Sequence, residues 1–185
     1  MKIVVSRYNE DIEWTEEFTD VVIYNKGEKL ECSTEVLLNN VGREGHSYYT
    51  YIYENYDSLP DHVIFLQGNA FDHSPNLARN LYYLKNTWSW RPHVTFAFIS
   101  ETIIQCNLSN NDRSLPLADV YEKVFGKKKT ELAFDFGAGG QFIVSKEQIL
   151  KRPKQFYSNI IDLLKYDIDP IEGYVIERFH SLIFE

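Results

Sequence analysis

The stretch Val63-Ile64-Phe65-Leu66-Gln67-Gly68-Asn69-Ala70-Phe71-Asp72-His73 is the densest structural signal in the chain. Four consecutive apolar residues predict a strand buried on both faces rather than one half-open to water. Gly68 breaks the run, and polar side chains follow at once. Ser74-Pro75 then reads as an N-cap and first helical position, opening a helix whose apolar residues are Leu77, Ala78, Leu81 and Tyr82. In open α/β sheets the ligand crevice lies beyond the carboxyl ends of such strands, so Asn69, Asp72 and His73 stand where an α/β protein does its chemistry. The alternative is that Asp72 and His73 only cap the helix and close a turn.

Towards the N-terminus, Ile3–Ser6 and Val21–Tyr24 are two further apolar strands. Each runs into polar residues, Arg7 and Tyr8 after the first and Asn25 and Lys26 after the second. Trp14 and Phe18 predict a short helix between them, and residues 28–42 read as loop. From Arg43 the apolar residues Tyr49, Ile52, Tyr53 and Tyr56 recur at helical spacing. Ser58-Leu59-Pro60-Asp61 stops that helix.

Towards the C-terminus the predicted helix runs to about residue 86, Trp88–Pro92 is left unassigned, and Val94–Ile99 is a strand. Asn107–Ser114 reads as an exposed loop, and Leu117, Val120, Tyr121 and Val124 as a helix ending at Gly126. Lys127–Lys129 reads as a solvated helix terminus, the alternative being a phosphate contact. In Phe134–Val144, three glycines within four residues let the backbone approach a ligand or another segment closely, at a spacing that fits neither a dinucleotide nor a P-loop fingerprint. Ser145 and Gln148 form a capping box, Pro153 restarts the helix, and a last helix over about 171–184 buries Val175, Ile176, Phe179, Leu182 and Ile183. The order β-β-α-β-α-β-α-β-α-α makes one α/β domain over 1–185.

With 185 residues, the chain is long enough to close a sizeable core. A net charge of −8 argues against a nucleic-acid-binding surface, which needs a basic stripe. An acidic protein that takes a diphosphate needs local Arg or Lys, helix N-termini or a divalent cation. Cys32 and Cys106 form no metal-spaced pair, which disfavours a zinc ribbon and a disulfide framework. The first strand is too short for a signal-peptide core and no apolar run is long enough to span a membrane, so a soluble cytoplasmic protein is expected.

Several constellations bear on chemistry. Asn69, Asp72 and His73 offer oxygen and nitrogen ligands, a sparse set that suits Mn²⁺ or Mg²⁺ completed by substrate phosphates. Arg43 at a helix start favours an anion; the alternative is a surface ion pair with Glu44 or Glu54. His46 reads as a packed or capping histidine, the alternative being a base. Glu177 and His180, three residues apart, are an acid/base pair or an intrahelical hydrogen bond. The motifs of serine hydrolases and zinc proteases are missing.

The blocks Gly42-Arg43-Glu44-Gly45-His46, Phe65-Leu66-Gln67-Gly68 and Gly137-Ala138-Gly139-Gly140-Gln141-Phe142 occur with Glu54–Asp61, Arg152-Pro153 and Glu177-Arg178. Together they resemble a small uncharacterised family carrying GRE-H, FLQG and GA-GQF blocks, along nearly the whole chain. The layout is similar to the GT-A fold of nucleotide-sugar glycosyltransferases. The resemblance implies a single-domain, Rossmann-like GT-A architecture: a mixed, mostly parallel central sheet flanked by helices. It implies transfer of a sugar from a nucleoside-diphosphate donor to a carbohydrate or other hydroxyl acceptor, assisted by Mn²⁺ or Mg²⁺. By it, Arg7, Tyr8, Asn25, Lys26 and Gln67 stand near the nucleotide, and Asn69, Asp72 and His73 at the metal position. Gly139, Gly140 and Gln141 face the sugars, and Glu177 and His180 stand near the reacting centre in catalytic roles; Arg43 is expected to join them by stabilising the charge on the leaving diphosphate. One departure is plain: where that fold carries Asp-x-Asp, this chain reads Gln67-Gly68-Asn69, and its first acid is Asp72. A non-catalytic carbohydrate- or nucleotide-binding domain and a metal-dependent phosphoesterase are the alternatives.

Overall fold

The central apolar run becomes β4 (His62–Gln67), on which the sheet turns from parallel to antiparallel pairing. A computed structural model describes residues 1–86, 93–109 and 114–184. Its other strands are β1 (Lys2–Arg7), β2 (Val21–Asn25), β3 (Glu35–Leu37), β5 (Phe96–Phe98), β6 (Ile103–Asn107), β7 (Ala133–Gly137) and β8 (Phe142–Ser145). The helices are α1 (Arg43–Glu54), α2 (Leu77–Asn86), α3 (Leu117–Phe125), α4 (Lys146–Ile149), α5 (Lys154–Leu164), α6 (Ile171–Arg178) and α7 (His180–Phe184), with 3₁₀ turns at Glu13–Glu17 and Tyr56–Ser58.

The six-stranded sheet has the order β3-β2-β1-β4-β8-β5. β1 to β4 are parallel neighbours; β8 is antiparallel to both β4 and β5. β6 and β7 form a separate antiparallel ribbon. The central sheet is mixed, mostly parallel and flanked by helices, as expected for the sheet itself. Because the chain leaves β1 in one direction towards β2 and β3 and returns on the other side as β4, the strand order reverses at the β1–β4 boundary. A crevice opens at the carboxyl ends there.

Both faces of the sheet are covered, which is why its strands read as continuous apolar runs. Val4, Tyr24, Val63, Phe65, Phe142 and Val144 face the larger core, closed by Tyr48, Tyr49, Tyr51 and Ile52 of α1 with residues of α3, α5, α6 and α7. The alternate residues Ile3, Val5, Ile23, Ile64, Leu66 and Ile143 face the smaller one, closed by Leu77 and Leu81 of α2 and by Trp14 and Phe18.

Several local expectations change. β3 lies within the predicted loop 28–42: three residues of an edge strand carry too little apolar pattern to stand out. β6 was likewise missed, being largely exposed. The Phe134–Val144 stretch splits, β7 joining the ribbon and β8 the main sheet. Tyr53 and Tyr82 face outward, and Ser74 does not start its helix, because its hydroxyl donates to the Ile99 carbonyl. The last helix breaks at Phe179 into α6 and α7. The Ser145 cap is as expected, its hydroxyl oxygen accepting from the Gln148 amide at 3.2 Å. Trp88–Pro92 and the middle of the loop placed at Asn107–Ser114 lie outside the described residues.

Candidate functional site

Two cavities meet above the β1–β4 boundary. The first, of about 280 Å³, lies at the strand ends between Tyr8, Lys26, Gln67 and Asp72. The second, of about 210 Å³, lies between the Gly139 turn, Phe136 of the ribbon, and Tyr174 and Glu177 of α6. Arg43 and His73 line both.

The floor of the first cavity is built by polar groups that serve the backbone. The Arg7 guanidinium donates to the Glu10 carbonyl at 2.9 Å, to the Tyr8 and Glu28 carbonyls at 3.3 and 3.0 Å, and to Asn25 Oδ1 at 2.9 Å. Asn25 is fully buried, donates to the Glu28 carbonyl and to Glu35 Oε1, and accepts from the Gly27 amide. It joins three loop segments from beneath. Lys26, buried at 8% exposure, donates from Nζ to the Val41 carbonyl at 2.5 Å and to the Arg43 carbonyl. Burial pushes its ammonium down to about 8, against the upward pull of the Glu44 charge.

Arg43 forms the partition. Gly42 and Arg43 both take left-handed backbone, at φ 67° and 51°, a conformation that costs an L side chain energy and that Gly42 adopts freely. The Gly42 and Arg43 amides donate to the carbonyls of Asp167 and Ile168, so both are engaged by the protein itself. The guanidinium carbon stands 4.0 Å from the Tyr174 ring centroid, Nη1 is 3.0 Å from Asp169 Oδ1, and Nε is 3.7 Å from Glu44 Oε2. Gly173 leaves room for its stem: a Cβ there would come within 2.8 Å of Arg43 Cδ.

Across the partition, Glu177 is buried at 8% exposure and accepts a 2.9 Å hydrogen bond from the Gly139 amide. Loss of solvent, then the charge of the equally buried Glu44, raises its carboxyl to about 7, against the pull of Arg43, the Gly139 amide and Arg178. The glycine turn makes this possible. Gly139 and Gly140 lie at φ 83° and 60°, and a Cβ on Gly140 would stand 3.2 Å from Glu177 Cγ, 3.3 Å from His180 Cε1 and 3.6 Å from Glu44 Oε1.

The expected residues therefore divide. Arg7, Tyr8, Lys26, Gln67, Asn69, Asp72, His73 and Arg43 line the first cavity, and Gly139 and Glu177 join Arg43 and His73 at the second. Asn25 and Gln141 are fully buried, and Gln141 Nε2 donates to the Ala70 carbonyl, tying the β4 loop to β8. Gly140 lies beneath, against Glu177 and His180. His180 is enclosed, its ring 4.4 Å from that of Phe142 and beside Tyr48 and Tyr49. Burial lowers its pKa to about 3, so the imidazole stays neutral at ordinary pH. Glu44 was missed as a site residue; an acid in the first turn of a helix at a strand-end cleft was the available signal. Tyr174 and Asp169 gave none, since only folding brings them to Arg43.

The expected metal position, Asn69, Asp72 and His73, bears one carboxylate. Asn69 Nδ2 donates to Asp72 Oδ2 at 2.8 Å, leaving the other Asp72 oxygen, Asn69 Oδ1 and the His73 ring as donors on one rim. Among the described residues no group of three His, Cys, Asp or Glu side chains is placed to hold a metal ion. The set fits a Mg²⁺ or Mn²⁺ ion that takes most of its ligands from water and substrate phosphate. Among the described residues no helix is long and apolar enough to cross a membrane.

No curated protein and no solved structure matches this chain. A family model described as "Protein of unknown function (DUF3431)" matches residues 3–88 and 79–185, in agreement with the resemblance to an uncharacterised family. With nearly every residue matched, the chain belongs to that family.

Proposed function

We propose that this protein is a glycosyltransferase of GT-A type, transferring a sugar from a nucleoside-diphosphate donor in the first cavity to a hydroxyl acceptor in the second. The observation that supports this best is the partition itself: two cavities share Arg43 and His73, and a buried carboxyl raised to about 7 stands on the second. A base poised near neutral pH suits removal of a hydroxyl proton. The parallel 3-2-1-4 strand order with its crevice at the reversal agrees with the reading.

In this mechanism the acceptor oxygen attacks the anomeric carbon while its proton passes to the Glu177 carboxylate. The bond from that carbon to the diphosphate oxygen breaks, and the electron pair leaves with the phosphate. Arg43 meets the charge that develops there. A single displacement of this kind inverts the anomeric centre. Asp72, Asn69 and His73 would hold a Mn²⁺ or Mg²⁺ ion, which supplies further positive charge to the diphosphate when bound. Phe136 and Tyr174 line the acceptor cavity, with the Arg178 and Arg43 guanidinium carbons 4.6 and 4.0 Å from their ring centroids.

A second reading, a non-catalytic carbohydrate- or nucleotide-binding domain, draws support from the Asn69–Asp72 bond, which occupies a carboxylate oxygen at the metal position. A panel of UDP-, GDP-, CMP- and dTDP-sugars, each with and without Mn²⁺, tests these readings by thermal shift and nucleotide release. One donor that raises the melting temperature and is turned over only with an acceptor supports the transferase. Binding without turnover supports the second reading, and acceptor-independent hydrolysis a phosphoesterase. For the transferase, Glu177→Gln lowers kcat about 10²- to 10⁴-fold and leaves donor affinity near wild type.

A further inference from the structure

We propose that Lys26 is a positioning residue. Its ammonium clamps the carbonyl oxygens of Val41 and Arg43, and the clamp holds Arg43 in the left-handed backbone from which its guanidinium walls off both cavities. The resemblance implies that Lys26, at the end of β2, stands near the nucleotide. Its geometry points elsewhere.

The side chain lies in the protein at 8% exposure, and Nζ has two backbone acceptors on either side of Gly42. On the opposite side, the Gly42 amide donates to the Asp167 carbonyl at 2.8 Å and the Arg43 amide to the Ile168 carbonyl at 3.4 Å. The turn is thus held by its carbonyls from the end of β2 and by its amides from the loop before α6. A non-glycine residue at φ 51° persists only where surrounding bonds over-determine it, and these four bonds do so. A buried ammonium in turn needs acceptors, which the two carbonyls provide beside the Glu44 charge. Released from the clamp, Arg43 relaxes towards ordinary helical backbone. Its guanidinium then leaves the Tyr174 face and Asp169.

The consequence for anion binding rests on reading the first cavity as the diphosphate site, so the test has two parts. Hydrogen exchange on the whole protein reads the clamp without any ligand. In Lys26→Met, the amides of Gly42, Arg43 and His46 lose about tenfold or more of their protection beyond any uniform change, while β4 and α5 do not. Pyrophosphate titration then reads the consequence. Lys26→Met weakens binding roughly tenfold in the wild-type background and not at all in Arg43→Ala, because a positioning residue has nothing left to position. Where Lys26→Met does not fold, Lys26→Gln, which keeps a neutral donor, replaces it in both arms. Unchanged protection at 42–46 overturns the clamp. A tenfold loss that persists in Arg43→Ala shows that Lys26 touches the anion directly, and overturns the positioning role. If the wild type binds no pyrophosphate, the diphosphate reading of the cavity falls, and the clamp is decided by exchange alone.

Discussion

The floor of the first cavity and the wall of the second are both rich in buried polar side chains, yet they are built in opposite ways. Beneath the first, Arg7, Asn25 and Lys26 direct their donors at backbone carbonyls and at one another. Behind the second, Glu177 and Glu44 lie buried with mutually unfavourable charge, and both nitrogens of His180 and the Tyr48 hydroxyl have no hydrogen-bond partner among the described residues. A buried polar group with its partners in place rigidifies; one without them carries a desolvation cost that nothing offsets. The comparison teaches that lining a cleft does not make a residue chemical. Partner accounting separates the hydrogen-bonded floor from the wall behind the second cavity.

The largest expected effect breaks the floor. Arg7→Met removes the donor from three loop carbonyls and from Asn25 Oδ1. It should cost about 3 kcal/mol in urea unfolding, since three partly buried carbonyls lose a donor and each acceptor left unpaired costs about 1–3 kcal/mol, while Asn25 Oδ1 keeps the Gly27 amide. A loss below 1 kcal/mol would mean that water satisfies these groups and that the floor is not scaffold.

The wall predicts the reverse sign. Because the folded-state pKa of Glu177 is raised, its contribution to stability is present below the ordinary carboxyl value of 4.5 and is lost as pH rises through about 7. Glu177→Gln should therefore be more stable than wild type by about 2–3 kcal/mol at pH 8 and nearly equal to it at pH 4, while activity falls. Parallel pH–stability curves for the two proteins would remove Glu177 from the role of base.

Gly140 sharpens the comparison by geometry. At φ 60°, with a Cβ meeting Glu177 and His180, Gly140→Ala should cost about 1–2 kcal/mol from backbone strain alone, and it should change Glu177 titration without altering floor stability. The smallest effect belongs to His180. His180→Leu should stay within about 1 kcal/mol of wild type at pH 7, because exchanging a buried unpaired polar group for an apolar one is close to neutral. The wild-type imidazole, with its folded pKa depressed, loses stability as pH falls from 6.5 towards about 3. The leucine variant should resist acid better. Large loss of activity at pH 7 with unchanged stability would instead return His180 to the reacting centre.

Much of the scaffold was legible in the residues. The runs at Ile3–Ser6, Val21–Tyr24 and Val63–Leu66 mark strands because burial on both faces leaves no polar alternation. Gly126 and the Ser145–Gln148 pair mark helix ends by local capping. Asn69 and Asp72, expected from their place after a buried strand, and Arg7, Tyr8, Lys26 and Gln67, placed by the resemblance, line one cavity. Glu177 and His180, by contrast, read as one pair, and folding gave one to a cavity and the other to the core.

The sequence by itself determined what short-range chemistry controls: which segments bury both faces, where glycine, proline and capping side chains stop them, and that β4 ends in a polar loop. Only the tertiary structure decided which polar groups are partnered. The Arg43–Asp169 bond spans 126 positions and the Gly139–Glu177 bond 38, and no local pattern encodes either. The raised Glu177 carboxyl, the neutral His180 and the Lys26 clamp all follow from desolvation and from partners brought together by the packed chain, and neither exists until the sheet and its helices close.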